Sequence, residues 1–175
     1  MVSYFTLYLQ IKYGGNIMND MIVKSIGEIS CSKRGIFIKV NKEYLPALKE
    51  LKGFSHINVI WWFSKSADEF SRSILSVESP YKGSPKSMGV FATRSPQRPN
   101  PIALTTSEII GIDVDNGLIQ IAFIDAKDGS PVLDIKPYTP SLDRVDKPRV
   151  PSWCSNWPKS IEESGSFDWS SVFNF

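Results

Sequence analysis

Residues 104–124, LTTSEIIGIDVDNGLIQIAFI, carry two apolar-rich runs on either side of Asp115-Asn116-Gly117. Asn-Gly supplies the positive φ angles that a tight hairpin turn demands. Leu104–Ile112 and the alternating Leu118–Ile124 are therefore expected to be antiparallel neighbours. Downstream, Asp128-Gly129 marks another turn before a strand at Val132–Ile135. Upstream, Met88–Thr93 reads as a strand, and residues 64–87, rich in Ser and charge, as a long polar loop. Phe54–Phe63 is apolar on both alternating faces near its end, which suits a strand covered on both sides. Leu45, Leu48 and Leu51 recur at three-residue spacing and predict one short helix ended by Gly53, with Pro46 tolerated in its first turn. Ile22–Ile29 and Gly35–Val40 add two more strands, with CSKR connecting them. Short strands at this spacing, with a single short helix, predict an all-β barrel or sandwich.

From Pro137 onward regularity fades. Prolines 140, 148, 151 and 158, with Trp153, Trp157 and Trp169, describe an irregular C-terminal tail anchored by aromatic rings. The expected organisation is a leader over 1–21 outside the core, one β-domain over 22–150 and a Trp-rich tail over 151–175. The leader has an apolar stretch at 1–13, but no basic segment precedes it and no small-residue cleavage site follows. It is too short and too polar to span a bilayer, so no membrane association is expected, and Met18 or Met21 suits the start of the core better.

A chain of 175 residues with 42% hydrophobic and 22% charged residues can bury a proper core, which excludes a wholly disordered protein. The net charge of +2 does not by itself announce a nucleic-acid binder. A polyanion surface would need local clustering, for which Lys82, Lys86, Arg94 and Arg98 are one candidate group and Lys33 with Arg34 another. Cys31 and Cys154 are too few and too far apart for a disulfide framework, and His56 is the sole histidine. Reduced thiols in a cytoplasmic protein without a structural zinc site are expected.

Two constellations carry chemistry. In Arg94-Ser95-Pro96-Gln97-Arg98-Pro99-Asn100-Pro101, three prolines fix φ and forbid helix, giving a stiff loop that projects two guanidinium groups and a carboxamide. Arginine offers planar paired donors for a carboxylate or phosphate; equally, such arginines satisfy carbonyls of their own loop. The second constellation runs from Asp125 through Asp128-Gly129-Ser130-Pro131 to Asp134, Lys136 and Tyr138. Asp125 is expected at a strand end facing a barrel mouth, and Asp134, Lys136 and Tyr138 alternate onto one face of an extended segment. That face orients a ligand or is the solvated side of an edge strand. His56, beside a dense apolar run, reads more readily as a hydrogen-bonded core residue than as a catalyst. No dinucleotide-binding glycine motif, P-loop or nucleophile elbow is present.

Met88-Gly89-Val90-Phe91-Ala92-Thr93-Arg94-Ser95, running into Arg98-Pro99-Asn100-Pro101-Ile102, resembles the hallmark of the TsaA-like, or TrmO, family almost letter for letter. Asp128-Gly129-Ser130-Pro131-Val132-Leu133-Asp134-Ile135-Lys136-Pro137-Tyr138 resembles its second motif, and Gly53-Phe54-Ser55-His56 and Ile26-Gly27-Glu28-Ile29 resemble two weaker ones. The resemblance covers residues 22–150. It implies a small closed or partly open β-barrel that binds S-adenosylmethionine, works as a homodimer and methylates N6 of threonylcarbamoyladenosine next to the tRNA anticodon.

By the same resemblance, the cofactor contacts are Ser64, Lys65, Arg94, Leu104, Ala122, Phe123, Ile124 and Asp125. The substrate contacts are Arg98, Asn100, Lys136, Tyr138 and His56, and the anticodon loop is the part of tRNA engaged. Because the acylated N6 attacks poorly while protonated, Asp125 or Asp134 is expected to take the proton. The family pattern usually has Gly in place of Ala103, often His-Gln in place of Ser64-Lys65, and usually Ser-Pro in place of Ser30-Cys31. Readings of another kind are a non-catalytic RNA-binding barrel and a methyltransferase of this fold with a different acceptor.

Overall fold

A computed structural model describes residues 22–174; the expected leader over 1–21 lies outside the described residues. The described residues divide into two compact units, 22–64 with Ile102–Tyr138, and Lys65–Pro101 with 139–174.

The first unit is a closed barrel. Its strands are β1 (Gly27–Ser32), β2 (Gly35–Val40), β3 (His56–Trp62), β6 (Ile102–Asp113), β7 (Leu118–Ile121) and β8 (Pro131–Pro137). The order around it is β1-β2-β7-β6-β3-β8, with β8 returning to β1 through Gly27↔Val132. All pairings are antiparallel, so closure removes the exposed edges that an open sheet would leave. Ile29, Ile38, Ile57, Val59, Ile119 and Val132 are fully buried inside, joined by Trp61, whose Nε1–H donates to Thr105 Oγ1 at 3.0 Å. Ala103 pairs with Trp61 on this inner face. At Gly27 a Cβ would run into the Lys39 carbonyl, so the close approach of β1 to β2 admits only glycine there.

Several local readings of the sequence change: the strand expected over Ile22–Ile29 begins only at Gly27 and runs on to Ser32. The Leu45–Leu48–Leu51 segment is not an α-helix but two 3-10 turns, Lys42–Leu48 and Leu51–Gly53. Three-residue spacing is the 3-10 period itself, and Pro46 inside the first turn has no N–H for an α-helical bond. The Asn116-Gly117 turn carries the expected positive φ of 66° at Gly117, but the loop spans four residues between Asp113 and Leu118. Asp113 closes it by accepting from Asn116 N (3.1 Å) and Nδ2 (2.8 Å), which also holds its carboxyl below the ordinary aspartate range. Finally, β7 stops at Ile121 rather than Ile124.

The second unit contains α1 (Glu69–Ser73), the β4 (Ser76–Glu78) and β5 (Ser87–Gly89) hairpin, α2 (Pro140–Asp143) and α3 (Ile161–Ser164). The strand expected over Met88–Thr93 is therefore only its first part, followed by a 3-10 turn at Val90–Ala92. Tyr81 stacks on Trp153 (centroids 5.3 Å, 11°) and meets Trp157 edge-on at 5.0 Å. Trp157 in turn meets Trp169, which meets Phe167 and Phe173. Backbone bonds lace the same segments together: Lys82 N–H donates to Val172 O at 2.9 Å and Asn174 N–H to Pro80 O at 3.2 Å. The polar loop and the Trp-rich tail are thus one packed body.

Candidate functional site

The arginine loop lies in the second unit, and its two guanidinium groups have different surroundings. Arg98 is half-buried; its Nε–H donates to Ser95 O at 2.8 Å and its Nη2 to Thr93 O at 2.6 Å and Val90 O at 3.2 Å. Thr93 Oγ1 donates to Val90 O at 2.8 Å and accepts from Ser95 N–H at 3.2 Å. The loop is consequently folded around Arg98, while Arg94, its first residue, is exposed. Asn100 Oδ1 accepts from Arg72 Nη2 at 3.5 Å. Lys65 sits in the 3-10 turn Ser64–Ser66.

On the barrel, the pleat sorts the remaining residues. Since Ile57, Val59 and Trp61 face inward, Asn58, Ile60 and Trp62 face outward, and directly paired residues share their face. Three outer rows result: Leu104–Ile60–Asp134, Thr106–Asn58–Lys136, and Glu108 beside His56, next to Tyr138. Lys136 Nζ bridges Asp134 Oδ2 at 2.7 Å, and Asp134 Oδ1 accepts from Ile135 N–H at 2.9 Å. The hydrogen bond and charge of Asp134 push the Lys136 ammonium pKa up. The alternation of Asp134, Lys136 and Tyr138 thus yields a shared face. His56 belongs to it and not to the core: its Nδ1 is 2.9 Å from Ser55 Oγ and its ring centroid 6.2 Å from that of Tyr138.

Sequence reasoning singled out neither Asn58 nor Thr106. Asn58 is 8% exposed, and its Oδ1 accepts from Thr106 Oγ1 at 2.6 Å. A polar residue within an apolar strand was the available signal.

The segment after β7 is irregular because its backbone turns onto β6. Ala122 N–H donates to Glu108 O at 3.0 Å and Phe123 N–H to Ser107 Oγ at 3.1 Å. Ile124 enters the core, leaving Phe123 62% exposed and the Asp125 carboxylate at the surface. Asp125 is therefore four residues beyond the end of β7, the strand expected to carry it to a barrel mouth. Asp128 is structural: its Oδ1 accepts from Cys31 N–H at 2.8 Å, while Gly129 N–H donates to Ile29 O and Ile29 N–H to Ser130 O, each at 2.8 Å. Gly129, at φ 77°, makes that latch possible. Leu104 is half exposed on the outer face, and Ser64 follows β3 by two residues.

Among the described residues no cluster of His, Cys, Asp and Glu could hold a metal, both cysteines are free thiols, and no helix is long and apolar enough to cross a membrane.

Comparison with known proteins bears on the same residues. An S-adenosyl-L-methionine-binding protein of Archaeoglobus fulgidus is 41% identical over 110 residues, 63% of this chain and 73% of that protein. A second protein of that organism, described as a probable S-adenosyl-L-methionine-binding protein, is 35% identical over 119 residues, 68% of this chain and 30% of its own length. The crystal structure of TrmO from Pseudomonas aeruginosa superposes with a TM-score of 0.56 at 28% identity, covering 74% of this chain and 60% of that one. The chain thus spans under two thirds of the solved relative. Residues 28–144 match the model of the tRNA-methyltransferase O N-terminal domain, and the chain belongs to that family.

Proposed function

We propose that the chain is an S-adenosylmethionine-dependent methyltransferase acting on N6 of threonylcarbamoyladenosine beside the tRNA anticodon. The observation that carries this reading is the exposed Arg94 on a loop whose backbone is fixed by Arg98, within a chain of the tRNA-methyltransferase O family.

The residue types present suit the cofactor. The exposed apolar side chains of Leu104 and Phe123 suit an adenine ring, the surface carboxylate of Asp125 suits ribose hydroxyls or an ammonium, and the Arg94 guanidinium suits a carboxylate. Ser64, Lys65, Ala122 and Ile124 complete the proposed contacts. When bound, S-adenosylmethionine supplies an electrophilic methyl on a good leaving group. The protein's own task is then to hold the acceptor nitrogen in line and relieve it of its proton. Asp125 is the preferred proton acceptor, because Asp134 is already engaged by Lys136 and Ile135 N–H. Asp134 instead fixes Lys136, which with Asn100, Tyr138 and His56 contacts the substrate. Arg98 contributes by shaping the loop that presents Arg94.

Docking of the anticodon loop is assigned to Lys82 and Lys86. No carboxylate lies between Glu78 and Glu108, a span that also contains Arg94 and Arg98, so this stretch carries an undiluted positive charge. Replacing Lys82 and Lys86 together by Ala is expected to raise the tRNA KM and flatten its salt dependence. A homodimer in the cytoplasm completes the reading, with light scattering as the check on assembly. The decisive measurement is mass spectrometry of nucleosides from tRNA of cells with and without the gene. A methylated threonylcarbamoyladenosine that depends on the gene is expected; the same nucleoside profile in both would overturn the proposal.

A further inference from the structure

The second unit holds a cavity that the reading above leaves unused. It is a surface bowl of about 420 Å³ lined by Ser155, Asn156, Trp157, Lys159, Glu163 and Phe167, among others. That volume falls within the ~300–1,000 Å³ typical of small-ligand sites. Its aromatic walls, Trp157 and Phe167, are half-buried. Each is braced by ring contacts to Trp169, at 5.5 Å and 5.0 Å, so neither needs to be ordered when a ligand arrives. Asn156 and Lys159 are exposed on the same bowl, and neither side chain is held by a hydrogen bond or ion pair among the described residues.

The polar groups narrow the ligand class. Glu163 Oε2 accepts from Lys159 N–H at 2.9 Å, so the lining contributes one acid and one base. A cation caged by the rings would face Lys159, and a phosphate-driven ligand would face Glu163. A planar, uncharged ring with hydrogen-bonding edges meets neither objection. Its faces stack on Trp157 or Phe167, and the Asn156 carboxamide, with both donors and an acceptor, reads its edge.

We propose that this bowl binds an unpaired nucleobase of single-stranded RNA. The proposal rests on the RNA-directed function above and adds a second contact point on the substrate, distinct from the lysine loop. Recognition by stacking has a consequence that separates the two. Binding through Lys82 and Lys86 weakens steeply with salt because counterions are displaced from phosphates, whereas a stacked base is held nearly independently of salt.

The test uses the full chain and two probes, an adenine hexaribonucleotide and AMP, followed by the indole N–H signals of isotopically labelled protein. The hexanucleotide is expected to shift the Trp157 signal saturably and leave those of Trp61 and Trp62 in place. Its affinity should change less than about twofold between 50 and 300 mM salt, and should exceed that of AMP. The Asn156→Ala/Lys159→Ala double variant and, separately, Phe167→Leu should each weaken binding about fivefold or more, with the near-ultraviolet circular dichroism of the double variant unchanged. A stationary Trp157 signal, an unaltered affinity in the double variant, or equal affinity for AMP and the hexanucleotide would overturn the proposal. Those failures leave tRNA methylation by the same protein intact. Oligonucleotide binding by a protein that methylates no tRNA would instead sink the functional reading and keep the site.

Discussion

The barrel and the second unit solve the same problem of cohesion with different chemistry. In the barrel, antiparallel ladders satisfy the backbone and branched aliphatic side chains fill the interior, so its cohesion is spread over many similar contacts. The second unit has one short hairpin and three single-turn helices; its order comes from a chain of aromatic contacts and from side chains that bond to the backbone. A distributed core tolerates loss at its surface and suffers from a void at its centre. A unit assembled from a few specific contacts depends on individual residues outside any ladder.

The largest effect is therefore expected in the barrel. Ile57→Ala removes a fully buried side chain and should lower unfolding free energy by about 3–4 kcal/mol in a urea titration followed by far-ultraviolet circular dichroism. A loss under 1 kcal/mol would mean that the interior is not tightly packed. Next comes Tyr81→Ala, which severs ring contacts to Trp153, Trp157 and Phe173 and should cost about 2–3 kcal/mol. Its signature is a collapse of the near-ultraviolet signal from the stacked indoles; an unchanged spectrum would break the comparison.

The arginine pair sharpens it within a single loop. Arg98→Ala removes one donor from each of three carbonyls and should cost about 2 kcal/mol, whereas Arg94→Ala is expected to act on the cofactor and abolish most S-adenosylmethionine affinity in calorimetry. Undiminished S-adenosylmethionine affinity in Arg94→Ala would erase the distinction between a shaping and a presenting arginine.

Much of the barrel was legible because its code is local. Period-two alternation and the Asn-Gly turn located the strands, and the proline-rich loop announced its own stiffness. What stayed hidden depends on pairing at a distance. Tyr81 and Trp153 have no pattern in common, so nothing in either stretch says that loop and tail form one body. Arg94 and Arg98 occupy similar settings in sequence, and nothing there says that the 3-10 turn at Val90–Ala92 presents a carbonyl to Arg98. Asn58 was masked by its apolar neighbours, since a strand covered on both faces gives no alternation to betray an outward amide. The leucines at three-residue spacing do mark helical backbone, but it is two 3-10 turns and not the single helix that the spacing predicts.

The smallest effect concerns acid. Asp68 accepts from Ser71 N–H and Oγ, and Asp168 from Ser170 N–H and Oγ, which hold both carboxyls below the ordinary aspartate range; Lys82 adds its charge to the case of Asp168. A depressed folded-state pKa stabilises above the unfolded value of about 3.9 and ceases to do so as pH falls through the lower folded value. Both groups are solvent-exposed, so the loss is slight, and the side-chain carboxyl carbon signals of Asp68 and Asp168 should titrate below that of a random-coil aspartate. Midpoints at the random-coil value would remove these caps from the account.

The union of Tyr81 with Trp153 also sets a timetable for synthesis. About 70 residues separate the two rings, so at roughly 5–20 residues per second the first leaves the ribosome about 4–14 s before the second exists. Throughout that interval Lys82 and Lys86 belong to a carboxylate-free nascent segment with no tail to set its backbone. Val132, the partner that closes the barrel on Gly27, is made only about 20 residues before Trp153. Translation thus completes both units almost together, and the basic loop acquires its fixed shape only once the Trp-rich tail has been made.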